Sequence, residues 1–472
     1  MRLATRYRWS IFLGKGLGKL KRKLEKAAPR FELGIKDLQS SALPLGHAAE
    51  EKSSYPFADS ISQGRDCALF LCNGHGEDLI TARIIYALHK EEPSLPIEVL
   101  PLVGKGKAFD KAIAEGWLVR IGPLISLPSG GFSNQSLKGL IADIFSGLLS
   151  GLWKQFRYVR WARSHGRLII AVGDLFPLLL AWSSGSPFAF IGTPKSDYTW
   201  TSLRQNKAWS DYYHRFKGTE WDPWEKFFME SARCRFVAVR DKLTARCLDL
   251  KGVPVYFPGN PMMDGFLNNE CPSEFKKYKK LMLLCGSRMP EAIHNLVNLM
   301  NAFERKTVAI PIIIFIALGP DPSIDEVELC LKELGYRESF RKISNVGANS
   351  SWEKGSVIIL IGVGQFYRWA NWVDIGLANA GTATEQLVGL GVPCLSLPGD
   401  GPQFKYSFAL RQSRLLGGAV LPCKTAEILS DKLDQLLFDN FLRQRMGRVG
   451  QKRMGIQGGG KGLAELILKR LF

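Results

Sequence analysis

The sequence has no run of about 18 uncharged apolar residues, so no segment reads as a membrane-spanning helix. The nearest approach, Gly139 to Trp153, is too short and carries Asp143. Paired cysteines are also missing. Cys67, Cys72, Cys234, Cys247, Cys271, Cys285, Cys330, Cys394 and Cys423 stand singly with no CxxC among them, which excludes a disulfide framework and a zinc knuckle and implies reduced thiols. Acid is scarce: 44 Asp and Glu face 63 Lys and Arg, a formal net charge of +19. That imbalance calls for an acidic partner, whether nucleic acid, an anionic membrane surface or a phosphorylated substrate. No RNA- or DNA-binding module is recognisable, so nucleic acid is not expected.

What is present is a chain of 472 residues, 46% hydrophobic and 11% aromatic, enough for two ordinary domains. Residues 1–64 stand apart. Their first 30 positions hold ten basic residues and one acid with no strand pattern, as in a transit peptide, a basic membrane-touching arm or an over-extended start. From Asp66 onward strands and helices alternate, which predicts parallel sheets covered by helices on both faces. The pattern restarts after "FPGNPMMD", so two Rossmann-like halves are expected at 65–258 and 259–455. Residues 456–472 read as a glycine hinge and a terminal amphipathic helix.

In open parallel sheets ligands sit beyond the carboxyl ends of strands, against helix N-termini. Three loops of the second half occupy such places. In "CGSRMPEA", Gly286 permits a tight backbone, Ser287 can cap the helix and Arg288 can grip a phosphate. In "NAGTATEQLVGLG", Gly381, Thr382 and Ala383 suit close approach of a diphosphate, and Glu385 can accept from ribose hydroxyls. In "LPGDGPQFKYSFA", Asp400 and Gln403 can read a sugar. Each also has a plainer role, as turn, cap or packing glycine.

These stretches, with "FPGNPMMD", resemble the signature loops of lipid-A-disaccharide synthase and most closely its related branch. The resemblance runs from about Asp66 to the end. It implies an α/β protein of the GT-B fold, two Rossmann-like domains facing across a cleft with a C-terminal helix that can cross back, and a UDP-sugar as substrate with no cofactor. It further implies that Gly286, Ser287 and Arg288 meet the diphosphate, that Gly381 to Thr384 back it and that Glu385 meets the ribose. The loop "GVGQFYRWANW" would contact the base, with Phe366 a candidate. No metal is expected: "GDG" at Gly399–Gly401 has one acid, and Arg288 with helix N-termini can neutralise the departing diphosphate.

The first loop departs from that family. After the apolar run Cys67 to Cys72 comes Asn-Gly-His-Gly-Glu-Asp, where Gly74, Gly76 and Asp78 keep the family texture and His75 does not. An inverting transfer needs a general base on this half, and a neutral His suits it. His75 is the first candidate, oriented by Asp174 of "AVGDLFP" in a pattern resembling the dyad of plant UDP-glycosyltransferases. Asp174 alone is the second candidate and Glu77 the third; His75 as a helix cap beside Glu77 and Asp78 is the plainer alternative.

In "LWKQFRYVRWARSHGR" Trp153 and Trp161 interleave with Arg157, Arg160 and neighbouring cations, which suits an anionic membrane surface. The expectation is therefore an inverting, metal-independent glycosyltransferase moving a sugar of the UDP-GlcNAc type to a lipid or lipid-linked acceptor. It would be cytoplasmic and peripherally membrane-associated, or plastidial if the extension is a transit peptide. The alternatives are a UDP-sugar 2-epimerase or hydrolase on the same fold, and a non-catalytic basic protein binding nucleic acid or anionic lipid.

Overall fold

The structure is a computed structural model. It describes residues 67–74, 76–122, 148–201, 209–267, 269–305, 310–339, 346–399 and 405–472. The basic extension, His75, Asp400 and Gln403 lie outside the described residues.

The first sheet comprises β1 (Cys67–Cys72), β2 (Ile97–Pro101), β3 (Leu118–Arg120), β4 (Arg167–Gly173), β5 (Phe188–Gly192), β6 (Cys234–Val239) and β7 (Val255–Tyr256). All pairings are parallel, in the order β3-β2-β1-β4-β5-β6-β7. All six residues of β1 are buried, which explains why it reads as an unbroken apolar run: a parallel strand is covered on both faces.

The second sheet comprises β8 (Lys279–Leu284), β9 (Ile312–Leu318), β10 (Arg337–Glu338), β11 (Ser350–Lys354), β12 (Val357–Val363), β13 (Ile375–Ala378), β14 (Cys394–Ser396) and β15 (Val420–Pro422). Its parallel part runs β12-β9-β8-β13-β14-β15, and β10 and β11 extend the β12 edge antiparallel. Each sheet thus has the doubly wound strand order, with a switch point beside its first strand, at β1/β4 and at β8/β13.

Helix α1 (Gly76–Glu91) follows β1 with Glu77 and Asp78 in its first turn and His89 and Lys90 in its last, matching its dipole. Helices α2 (Leu148–Ser164) and α3 (Leu175–Ser184) flank β4. Asn260, between the two sheets in the chain, ties the segment that joins them to the C-terminal helices. Asn260, 1% exposed, donates to the Met454 carbonyl at 3.0 Å.

The terminal glycines are not a hinge. Gly459 and Gly460 lie in the first turn of α11 (Gly459–Arg470), whose N-terminus Asp264 caps through the amides of Gly458 and Gly460, both at 2.6 Å. A Cβ on Gly259 would lie 2.8 Å from the Gly459 Cα, so two glycines are needed for the chain segments to pass this closely. Lys461 reaches Glu91 at 3.9 Å, placing α11 beside α1.

Candidate active site

The carboxyl ends of β1, β4 and β5 gather three polar groups. Glu77 opens α1. Asp174 caps α3 by accepting the Phe176 amide at 3.0 Å. Thr193, buried, follows β5. A Cβ on Gly173 would lie 3.3 Å from the Asn73 Cβ and 3.7 Å from the Glu77 Cγ, so the β1 and β4 loops touch. Burial, then the charge of Asp174, and more weakly that of Asp78, push the Glu77 carboxyl up from 4.5 to about 7, against its own backbone amide and the Thr193 hydroxyl. Of the three candidate bases, the described residues bring Glu77 and Asp174 together. Asp78 is turned inward and buried, where its charge helps burial to raise the Cys72 thiol.

On the second half, Gly286 takes φ 92°, the left-handed region open to glycine. Ser287 is exposed and Arg288 half-buried. Ser287 does not cap the next helix, because α7 (Glu291–Glu304) starts four residues on, behind Pro290 with no side-chain cap. Helix α8 (Thr382–Gly389) begins after Gly381, likewise with no side-chain cap, so its leading amides point outward from the helix end. Gly381, Thr382 and Ala383 are partly exposed. Thr384 is buried and donates to the Ala380 carbonyl at 2.7 Å, serving the loop itself. Phe366 follows β12 and packs edge-on against Phe266 at 5.9 Å.

Three buried amides that sequence reasoning missed brace these loops. Asn379 donates to Asn295 at 3.2 Å and accepts from the Leu397 amide at 3.0 Å. Asn295 donates to the Cys285 carbonyl at 3.2 Å, and Gln412 to that of Gly381 at 3.1 Å. Together they tie the β8, β13 and β14 loops into one rigid platform.

The two halves meet where these loops face. A Cβ on Gly76 would lie 3.3 Å from the Thr382 hydroxyl. Glu385 is paired across the seam with Arg240, just past β6, at 2.6 Å. Arg83 of α1 donates to the Pro261 and Met262 carbonyls, each at 2.8 Å, and to the Tyr367 hydroxyl. Arg414 pairs with Asp211 at 2.9 Å, and Arg411 pairs with Glu220.

On α2 the proposed surface residues divide. Trp153 is 62% exposed, and Arg157 and Arg160 are exposed. Trp161 is half-buried under Arg167, 5.1 Å from its ring, and beside Tyr158. The eight-residue step from Trp153 turns it about 80° round the helix, away from the outward face. Missed in the sequence were Trp182, with Arg233 over its ring at 5.7 Å, and Phe227, 62% exposed and 6.3 Å from Trp182. They extend the aromatic and basic surface onto α3 and the helix Pro223–Met229 packed against it.

No protein-family model and no curated protein matches the sequence. Solved structures do match in shape. UGT71G1 of Medicago truncatula, complexed with UDP-glucose, superposes with a TM-score of 0.52 at 12% identity, covering 86% of this chain and 99% of its own. The glycotransferase of kitacinnamycin gives 0.50 at 13%, covering 86% and 100%. A Listeria monocytogenes protein provisionally assigned as a UDP-N-acetylglucosamine 2-epimerase gives 0.50 at 12%, covering 86% and 95%. With the two doubly wound sheets, these likenesses show that the chain has the GT-B fold.

Proposed function

We propose that the chain is an inverting, metal-independent glycosyltransferase that uses a UDP-sugar of the UDP-GlcNAc type and a lipid or lipid-linked acceptor. The supporting observation is the meeting of unlike loops, close enough that a Cβ on Gly76 would lie 3.3 Å from the Thr382 hydroxyl: carboxylates on one side, an uncapped helix start and Arg288 on the other. In this scheme the acceptor hydroxyl attacks the anomeric carbon and passes its proton to Glu77. With a pKa of about 7 that carboxyl is basic enough to take a proton and is substantially ionised near neutrality. His75, the sequence's first choice, lies outside the described residues; among those described, the raised carboxyl favours Glu77. UDP leaves with the bonding electrons, and Arg288 with the leading amides of α8 stabilises its charge. Glu385 accepts from the ribose. The surface of Trp153, Arg157, Arg160 and Phe227 holds the enzyme against anionic lipid from the cytoplasmic side.

Calorimetric titration of the full chain with UDP, UDP-GlcNAc and UDP-glucose tests the donor site. UDP should bind, and Arg288→Ala should weaken it more than tenfold, as expected on losing a charge-assisted phosphate contact. Unchanged affinity in that variant would remove the assignment. The Glu77–Asp174 pair also favours a second reading, a UDP-sugar 2-epimerase or hydrolase. Product formed from UDP-GlcNAc alone, without acceptor, would establish it.

A further inference from the structure

Arg240 belongs to the first half, yet its side chain serves the second. It is 8% exposed, and its Nη2 donates to Oε2 of Glu385, itself 15% exposed, at 2.6 Å. Its other terminal nitrogen donates to the Thr193 carbonyl, just past β5, at 3.4 Å. The next residue, Asp241, is already committed: its carboxylate accepts the Thr244 amide and hydroxyl, each at 2.9 Å. Glu385 is therefore the partner that compensates this buried guanidinium. A carboxylate accepts on both oxygens. Holding Oε2 fixes the plane of the group and leaves Oε1 as a second acceptor.

We infer that Arg240 is the positioning residue for ribose recognition, orienting Glu385 from across the seam so that the nucleotide's sugar hydroxyls are read only when the two halves are together. This inference rests on the donor-site proposal. Its chemistry is that of a charge-fixed acceptor: a carboxylate held by a guanidinium discriminates for a vicinal diol, because an analogue lacking the hydroxyls leaves the half-buried Oε1 without a donor from the ligand. Without Arg240 the carboxylate loses its fixed orientation, and the preference for ribose falls while the diphosphate contacts remain.

The test is the ratio of dissociation constants for 2′,3′-dideoxy-UDP and UDP, measured by calorimetry on the full chain. The wild type should show a ratio of about ten or more. Arg240→Ala should bring it below about three, and Arg240→Lys, which keeps the buried charge and guards against a folding defect, should fall between. A role confined to holding the halves together would weaken both nucleotides equally and leave the ratio unchanged, overturning the inference. A rising ratio would overturn it too, because Arg240 would then compete with ribose for Glu385. Failure of the wild type to bind UDP removes both the donor site and this inference. UDP binding with an unchanged ratio removes the inference alone.

Discussion

The two sides of the cleft are built in opposite ways. The second-half loops are braced by buried Asn295, Asn379 and Gln412, which fix three strand ends by amide-to-backbone bonds. They present backbone N–H groups and one Arg. The first-half loops of β1 and β4 instead crowd Glu77 and Asp174 together, and part of the cost is a carboxyl raised to about 7. A braced platform suits the proposed donor, whose charge is large and whose position must not vary. A strained acid pair suits proton transfer, where the useful property is a pKa near the working pH. Under the proposed function, the contrast puts the leaving group on one side and the proton on the other.

The sharpest way to break that contrast is Glu77→Gln. Loss of a general base should lower kcat by about 10²–10³, and the kcat/KM profile, which should rise with pH through about 7 in the wild type, should lose that limb. The same variant should be more stable than the wild type above pH 7. Glu77 has a folded pKa above its unfolded value, so the stability it contributes is full below about 4.5 and lost as pH rises through about 7. The gap in melting temperature between variant and wild type should therefore open with rising pH across that window. An unchanged kcat would return the base role to His75 or Asp174.

The brace makes the complementary prediction. Asn379→Ala leaves the Leu397 amide, the Ser396 hydroxyl and the Asn295 side-chain Oδ1 without the bonds that Asn379 makes to them, a cost of about 1–3 kcal/mol. Chemical denaturation should read that loss. UDP affinity should fall with it, because the β8 and β13 loops lose their common tie. Equal stability in the variant would show that the platform is not held by these amides.

The strands, and the glycines at the strand ends now proposed for the donor, were legible because their signals are local. The run Cys67 to Cys72 is apolar throughout and is β1 residue for residue; "NAGTATE" places glycine at a strand end and helix start. Arg240, Asn295 and Asn379 gave no such signal. Arg240 meets Glu385 145 positions away, and no spacing announces a partner at that distance. The glycines at 458–460 were misread for the same reason: glycine serves flexibility and close packing alike, and Gly259, 200 residues earlier, decides which. Ser287 was assigned a cap because it follows a strand, but the helix starts too late for it to reach. Trp161 was grouped with Trp153 on composition, although the helix rotates them apart.

The smallest effect belongs to the basic and aromatic surface of α2 and its neighbours. If Trp153, Arg157, Arg160 and Phe227 rest on anionic lipid, Arg157→Glu with Arg160→Glu should weaken sedimentation with vesicles containing phosphatidylserine, since each basic residue near such a surface contributes about 1 kcal/mol. Trp161→Ala should act otherwise. Its ring lies under Arg167, whose buried pair with Glu98 sits at 2.9 Å, so it should lower thermal stability and leave vesicle binding near the wild-type level. A double Arg variant that binds as the wild type does would remove the membrane from the proposal. The acceptor would then be sought among soluble molecules, with the donor platform and the Glu77 pair untouched.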